Sequence, residues 1–169
     1  MGWVTLALRK QTLQRDISEL TMRELEMSRK IRSVHRNLSY ETSIFDNLKN
    51  AELRRAKEIF LQQADEENRP SRGDSKYDGN VGNYNYTADY NDWKDAYDRA
   101  KETYEEEKLK IQEYYEQRQQ ELEEEAQDQE DFINDQKTQV ETQRQAEQAE
   151  LEAITDEIKN EIQQSAIKF

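Results

Sequence analysis

Cysteine is absent from this chain, histidine and proline occur once each, and glycine occurs only four times. Without cysteine there can be no disulfide and no thiolate metal site, a composition compatible with a reducing compartment. His35 stands alone, and its neighbours Val34, Arg36 and Asn37 do not complete a ligand set, so no metal and no cofactor is expected. Long apolar runs are missing as well. The N-terminal MGWVTLALRK has an apolar stretch only from Trp3 to Leu8, with no basic residue ahead of it, too short for a signal peptide. Nothing approaches the roughly 20 apolar residues that span a bilayer, so membrane insertion is not expected. Myristoylation would want Ser or Thr where Leu6 stands.

What remains is charge with periodic apolar residues. Of 169 residues 37% are charged and 33% hydrophobic, with net charge −13, too polar for a compact core. Regular apolar spacing argues against disorder and for long helices. Apart from Gly2, the glycines and the proline all fall between Pro70 and Gly82, so the breakers sit in one place between two helix-forming flanks.

In the first flank two seven-residue registers hold the large apolar side chains. One runs Trp3, Lys10, Ile17, Glu24, Ile31, Leu38, Phe45; the other runs Leu6, Leu13, Leu20, Met27, Val34, Glu41, Leu48. That is an a/d heptad seam, interrupted by Lys10, Glu24 and Glu41, and single polar residues at such positions set register. After Leu48 the phase slips, and Leu53, Ala56, Ile59 and Phe60 carry the stripe onward. A helix of about 60 residues spans about 90 Å. The second flank is expected to start near Asp89 or Asn91, either of which can cap it. Its stripe includes Trp93, Tyr97, Tyr104, Ile111, Tyr115, Leu122, Ile133, Val140, Leu151, Ile154, Ile158 and Ile162.

Charge says how the flanks meet. Residues 1–40 carry eight Lys/Arg and four Asp/Glu, whereas residues 119–169 carry four Lys/Arg and fifteen Asp/Glu. Folding back at the connection lays the basic beginning beside the acidic end, the pairing that flanking charges favour. The expected fold is therefore all-α, a long antiparallel two-helix coiled-coil hairpin: residues 1–66 form the first helix, 67–90 an irregular Gly/Asn/Tyr-rich tip, and 91–169 the acidic second helix with an apolar C-terminal end. Pairing is expected with residue numbers summing to about 156, which would leave residues 156–169 projecting past the first helix.

The connection contains Arg72-Gly73-Asp74, an adhesion tripeptide in extracellular proteins. Pro70, Gly73, Asp78-Gly79 and Gly82-Asn83 are turn chemistry, and turn sequence is the reading preferred here. As a calcium loop starting at Asp74 the stretch fails, with Lys76 and Asn85 where the third and twelfth ligands belong. Tyrosines crowd the tip among asparagines, a composition used by recognition surfaces, so Tyr77, Tyr84, Tyr86, Tyr90 and Trp93 are candidate partner contacts; the alternative is that they pack the tip onto itself. A second candidate surface is the apolar end formed by Trp3, Val4 and Leu6 with Ile158, Ile162, Ile167 and Phe169.

The acidic run at residues 119–132 has no second histidine or enclosing pocket to make it catalytic, and reads as a solvated helix face. Nucleic-acid binding is not expected either, because the acidic helix offsets the basic one. The chain thus reads as a non-enzymatic structural subunit or adaptor whose partners are other protein subunits, with self-association possible because two helices bury little surface. No motif identifies a family. In general character the chain is similar to helical structural and assembly proteins of tailed-phage virions, and also to hairpin stalk proteins of flagellar and type III export machines; both likenesses rest on shape, and with no signal peptide and no cysteine the expected location is virion or cytoplasmic. A free binding module presenting the tip is a third reading.

Overall fold

The computed structural model describes residues 2–78 and 85–167. It is an all-α helical hairpin, and no strand occurs among the described residues. The first helix, α1, spans Trp3–Ala64 and the second, α2, spans Tyr86–Ile167; they run antiparallel and pack against each other, with two short 3-10 turns, Glu66–Asn68 and Ser75–Tyr77, between them. The chain divides into two compact units, Met1–Ser39 with Glu123–Phe169, and Tyr40–Leu122.

The core of the first unit follows the heptad seam. Leu6, Leu13 and Leu20 are buried at successive d positions, and Leu13 is the most enclosed large side chain, 1% exposed. Leu6 and Leu13 cluster with Ile154, and Leu151 and Ile158 pack against that cluster. Glu24, a polar residue in the seam, is matched rather than merely tolerated. Its carboxylate accepts a hydrogen bond from Arg144 Nε at 2.6 Å. Arg9 makes a two-pronged bond to Glu150, from Nε at 2.8 Å and from Nη2 at 2.9 Å, and His35 Nε2 meets Glu130 at 2.9 Å.

In the second unit alanines and rings replace leucines. Ala56, Ala64 and Ala100 are buried, as is Tyr115, whose hydroxyl donates to Glu52 Oε1 at 3.0 Å and whose ring meets the edge of Phe45 at 6.2 Å. Small residues let large rings fill the space between helices. Phe60 stacks on Tyr104 at 5.2 Å and meets Tyr97 edge-on at 5.7 Å.

Two expectations are corrected. α2 begins at Tyr86, not near Asp89 or Asn91, because Asn85 is the cap: its Oδ1 accepts the N–H groups of Thr87 at 3.0 Å and Ala88 at 3.4 Å. The pairing register differs too. The partners of Arg9, Glu24, His35 and Glu52 lie later in α2 than a sum of 156 requires, by between about one and three helical turns. At the connection itself the offset is small: the Trp93 indole Nε1 donates to the Asp65 carbonyl at 3.1 Å. In this register Ile158 does not project past α1 but packs on the Leu6–Leu13–Ile154 cluster.

The end of α1 is set by Asp65, which takes the left-handed conformation at φ 45° and ψ 47°. Aspartate is among the few residues that enter this region at modest cost. Its Oδ1 accepts from Asn68 Nδ2 at 2.8 Å, closing the first 3-10 turn on itself.

Candidate interaction surfaces

At the tip, the described aromatic residues satisfy one another. Tyr77 meets Tyr86 edge-on at 5.5 Å, Tyr86 stacks on Tyr90 at 5.8 Å, Tyr90 meets Trp93 at 5.9 Å, and Trp93 meets Tyr97 at 5.3 Å. With Phe60 and Tyr104 this makes a continuous ladder along the start of α2. All four described candidates, Tyr77, Tyr86, Tyr90 and Trp93, are half-buried; Tyr84 lies outside the described residues. Such ring pairs stabilise by about 0.5–1.5 kcal/mol each beyond their buried area.

Arginines clamp the connection onto this ladder. The Arg69 guanidinium lies 5.3 Å from the Trp93 ring centre and 5.9 Å from that of Tyr90, and Arg72 lies 5.4 Å from that of Tyr86. Tyr77 donates its hydroxyl proton to Asp89 at 3.0 Å, and burial together with Asp89 pushes its pKa up, with the Lys76 ammonium pulling the other way. Sequence reasoning missed the roles of Arg69 and Arg72; their spacing from the tyrosines across a turn carries no periodic signal.

The Arg-Gly-Asp stretch is a turn. Asp74 N–H donates to the Ser71 carbonyl at 3.0 Å, and Asp74 Oδ2 accepts the Ser71 N–H at 3.0 Å. Arg72 is occupied by Tyr86 and Asp74 by the turn backbone, so the two charged groups of the tripeptide serve the local fold.

The candidate apolar end is divided by the structure. Leu6 is only 3% exposed and belongs to the core, and Ile158 packs on that core, so neither presents a free side chain. Trp3 at 62% exposed, Val4 and Ile162 do lie at the surface, joined by Leu8 one turn beyond Val4. Ile167 is the last residue of α2 and its side chain, like Phe169, falls outside what is described.

Further along the outer side of α1, Met22 and Leu25 are about half exposed, and α2 shows Phe132 at 64% exposed. Arg29, Ile31, Arg32, His35, Arg36 and Glu130 line an open hollow of about 730 Å³. The Arg9–Glu150 pair lies in solvent, yet its two-pronged geometry lowers the Glu150 pKa and raises that of Arg9. Among the described residues no three His, Asp or Glu side chains are grouped to hold a metal ion, and no helix is long and apolar enough to cross a membrane.

No family model matches the chain, and neither a curated protein nor a solved structure is significantly similar to it.

Proposed function

We propose that this chain is a non-enzymatic structural subunit of a larger protein assembly, contributing a helical hairpin that docks through apolar side chains its own fold leaves uncovered. The observation that carries this reading is the exposure of Trp3, Val4, Leu8 and Ile162, large apolar side chains near the ends of the two helices that the Leu6–Leu13–Ile154 core does not take up. Large apolar groups left in water on so charged a surface mark protein contact. The tip is the weaker candidate for docking, since its described rings already stack on each other and on Arg69 and Arg72. The carboxylates of residues 123–131 lie mostly on exposed helix surface, which supports a structural over a catalytic role.

The finer reading is a bacteriophage virion or assembly component; a stalk or adaptor of an export machine is the alternative. Both rest on the general likeness of a charged helical hairpin to such proteins. Purified native particles distinguish them. A virion component is found in particles at a symmetry-related copy number, and Trp3→Asp/Val4→Asp abolishes its incorporation while helix content by circular dichroism is unchanged. Absence from particles, with co-purification of a hexameric ATPase, overturns the virion reading in favour of the alternative. Normal incorporation of the double variant overturns the assignment of the docking surface.

A further inference from the structure

The two helices of the first unit turn opposite charges outward. In residues 3–39 there are eight Lys/Arg and four Asp/Glu; in residues 123–169 there are four and fourteen. Only two ion pairs, Arg9–Glu150 and Arg144–Glu24, and one histidine–carboxylate contact, His35–Glu130, join the helices here among the described residues. Most of the charge on each helix is thus left facing solvent.

The unmatched charge is ordered. Arg29, Arg32 and Arg36 recur at three- and four-residue steps, which places them on one face of α1, away from the seam residues Met27, Val34 and Leu38. Leu25 and Met22 continue that face towards the N-terminus. On α2, Asp128, Asp131 and Asp135 recur with the same steps, away from the seam residues Ala126, Ile133 and Val140, and the exposed Phe132 lies among them. All six charged side chains are exposed, and none is in an ion pair among the described residues. The His35–Glu130 contact puts the two stripes at the same level of the unit.

We propose that these stripes are the two halves of one interface between copies of this chain: the Arg29/Arg32/Arg36 face of one copy docks on the Asp128/Asp131/Asp135 face of the next. Equal spacing lets each guanidinium meet a carboxylate. Phe132 of one copy seats against the arginine stems of the other, where the aliphatic stems cover the ring and the guanidinium favours its face. Because the complementary stripes lie on opposite flanks of the same unit, the contact is heterologous. A two-fold dimer cannot satisfy both stripes at once, so copies add side by side, each leaving a basic flank on one side and an acidic flank on the other, until a ring closes or a filament grows. This interface concerns the chain with itself and stands whether or not the foreign partners proposed above exist.

Sedimentation velocity of the purified full chain tests it. At low ionic strength the mass distribution rises with concentration, and about 0.5 M salt reverses this. Arg29→Glu/Arg32→Glu/Arg36→Glu is monomeric, as is Asp128→Lys/Asp131→Lys/Asp135→Lys, each with self-association weakened at least about tenfold. Mixing the two variants restores association, and so does placing all six substitutions in one chain. Those rescues exclude misfolding as the cause of the losses. A chain monomeric at every concentration overturns the proposal, as do unchanged self-association after either reversal and failure of the mixture to recover. If the arginine reversal leaves self-association intact but abolishes binding of a fluorescent DNA duplex, the basic stripe is a nucleic-acid surface and the proposal is wrong.

Discussion

Glu24 stands at an a position of the coiled-coil seam, and its loss can be worked through quantitatively. Its side chain is 15% exposed and that of Arg144 is 30% exposed, with Nε and Oε1 2.6 Å apart. Replacing Glu24 by Ala removes a charge-assisted hydrogen bond and leaves a largely desolvated guanidinium without its partner, which costs about 1.5–3 kcal/mol. The Arg9–Glu150 pair is more exposed, 48% and 43%, and by the same reasoning its truncation costs about 0.2–1 kcal/mol despite its better two-pronged geometry. Urea unfolding followed by circular dichroism, run as a double-mutant cycle on each pair, measures both coupling energies. The Glu24–Arg144 coupling should be the larger by about 1 kcal/mol or more. A second arm separates stability from register. Glu24→Leu/Arg144→Leu should be close to neutral or stabilising, because an apolar pair of similar size avoids desolvation, yet it should loosen the choice of alignment. Equal couplings for the two pairs, or a leucine pair that lowers stability by several kcal/mol, would refute the view that burial and not geometry decides which ion pair matters.

Other expectations follow from single contacts. Leu13→Ala opens a cavity at the most enclosed point of the first unit and should cost about 2–5 kcal/mol in the same unfolding assay. Asp65→Gly should hold or raise stability, whereas Asp65→Val should lower it by about 1–2 kcal/mol, since a β-branched side chain fits the left-handed region poorly. Burial and the Glu52 carboxylate raise the Tyr115 pKa above its ordinary value. Its contribution to stability is complete below the tyrosine pKa of the unfolded chain, about 10, and is lost as pH rises through the folded value. Alkaline unfolding monitored by tyrosinate absorbance should therefore start at higher pH in Tyr115→Phe than in the parent chain. For register, cysteines at Ile17 and Glu147 should crosslink within one chain and cysteines at Ile17 and Gln139 should not, because Leu13 clustered with Ile154 and Glu24 bonded to Arg144 bracket the site.

The heptad seam of α1 was readable because Leu6, Leu13 and Leu20 recur every seven residues and burial demands that period. Glu24 was readable as a register device, but nothing in the sequence named Arg144 as its partner among the many cations and carboxylates available. The alignment is not legible in the sequence, because apolar periodicity selects the buried face of each helix but not how far one helix is shifted along the other. Residues after Asp65 lie back along α2, held by contacts of Arg69, Arg72 and Tyr77 that have no periodicity to betray them. The Asn85 cap is not distinguished in the sequence from Asp89 and Asn91, since several good capping residues occur close together and only the backbone path selects among them. In the second unit the buried helical positions among the described residues are three alanines and a tyrosine, residue types common on helix surfaces, so hydrophobic spacing alone gives them little weight.

The chain has two tryptophans, and each belongs to a different unit. Trp3 is well exposed at the start of α1, while Trp93 is half-buried between tyrosine rings beneath the Arg69 guanidinium, with its indole N–H bonded to a carbonyl. The first emits from a wet environment and the second from a partly dry one, quenched by close neighbours. Replacing either with phenylalanine leaves a single intrinsic fluorophore, so the melting of each unit can be watched separately without attaching any dye. Whether the hairpin opens in one cooperative step or from one unit first is thereby written into its own emission spectrum.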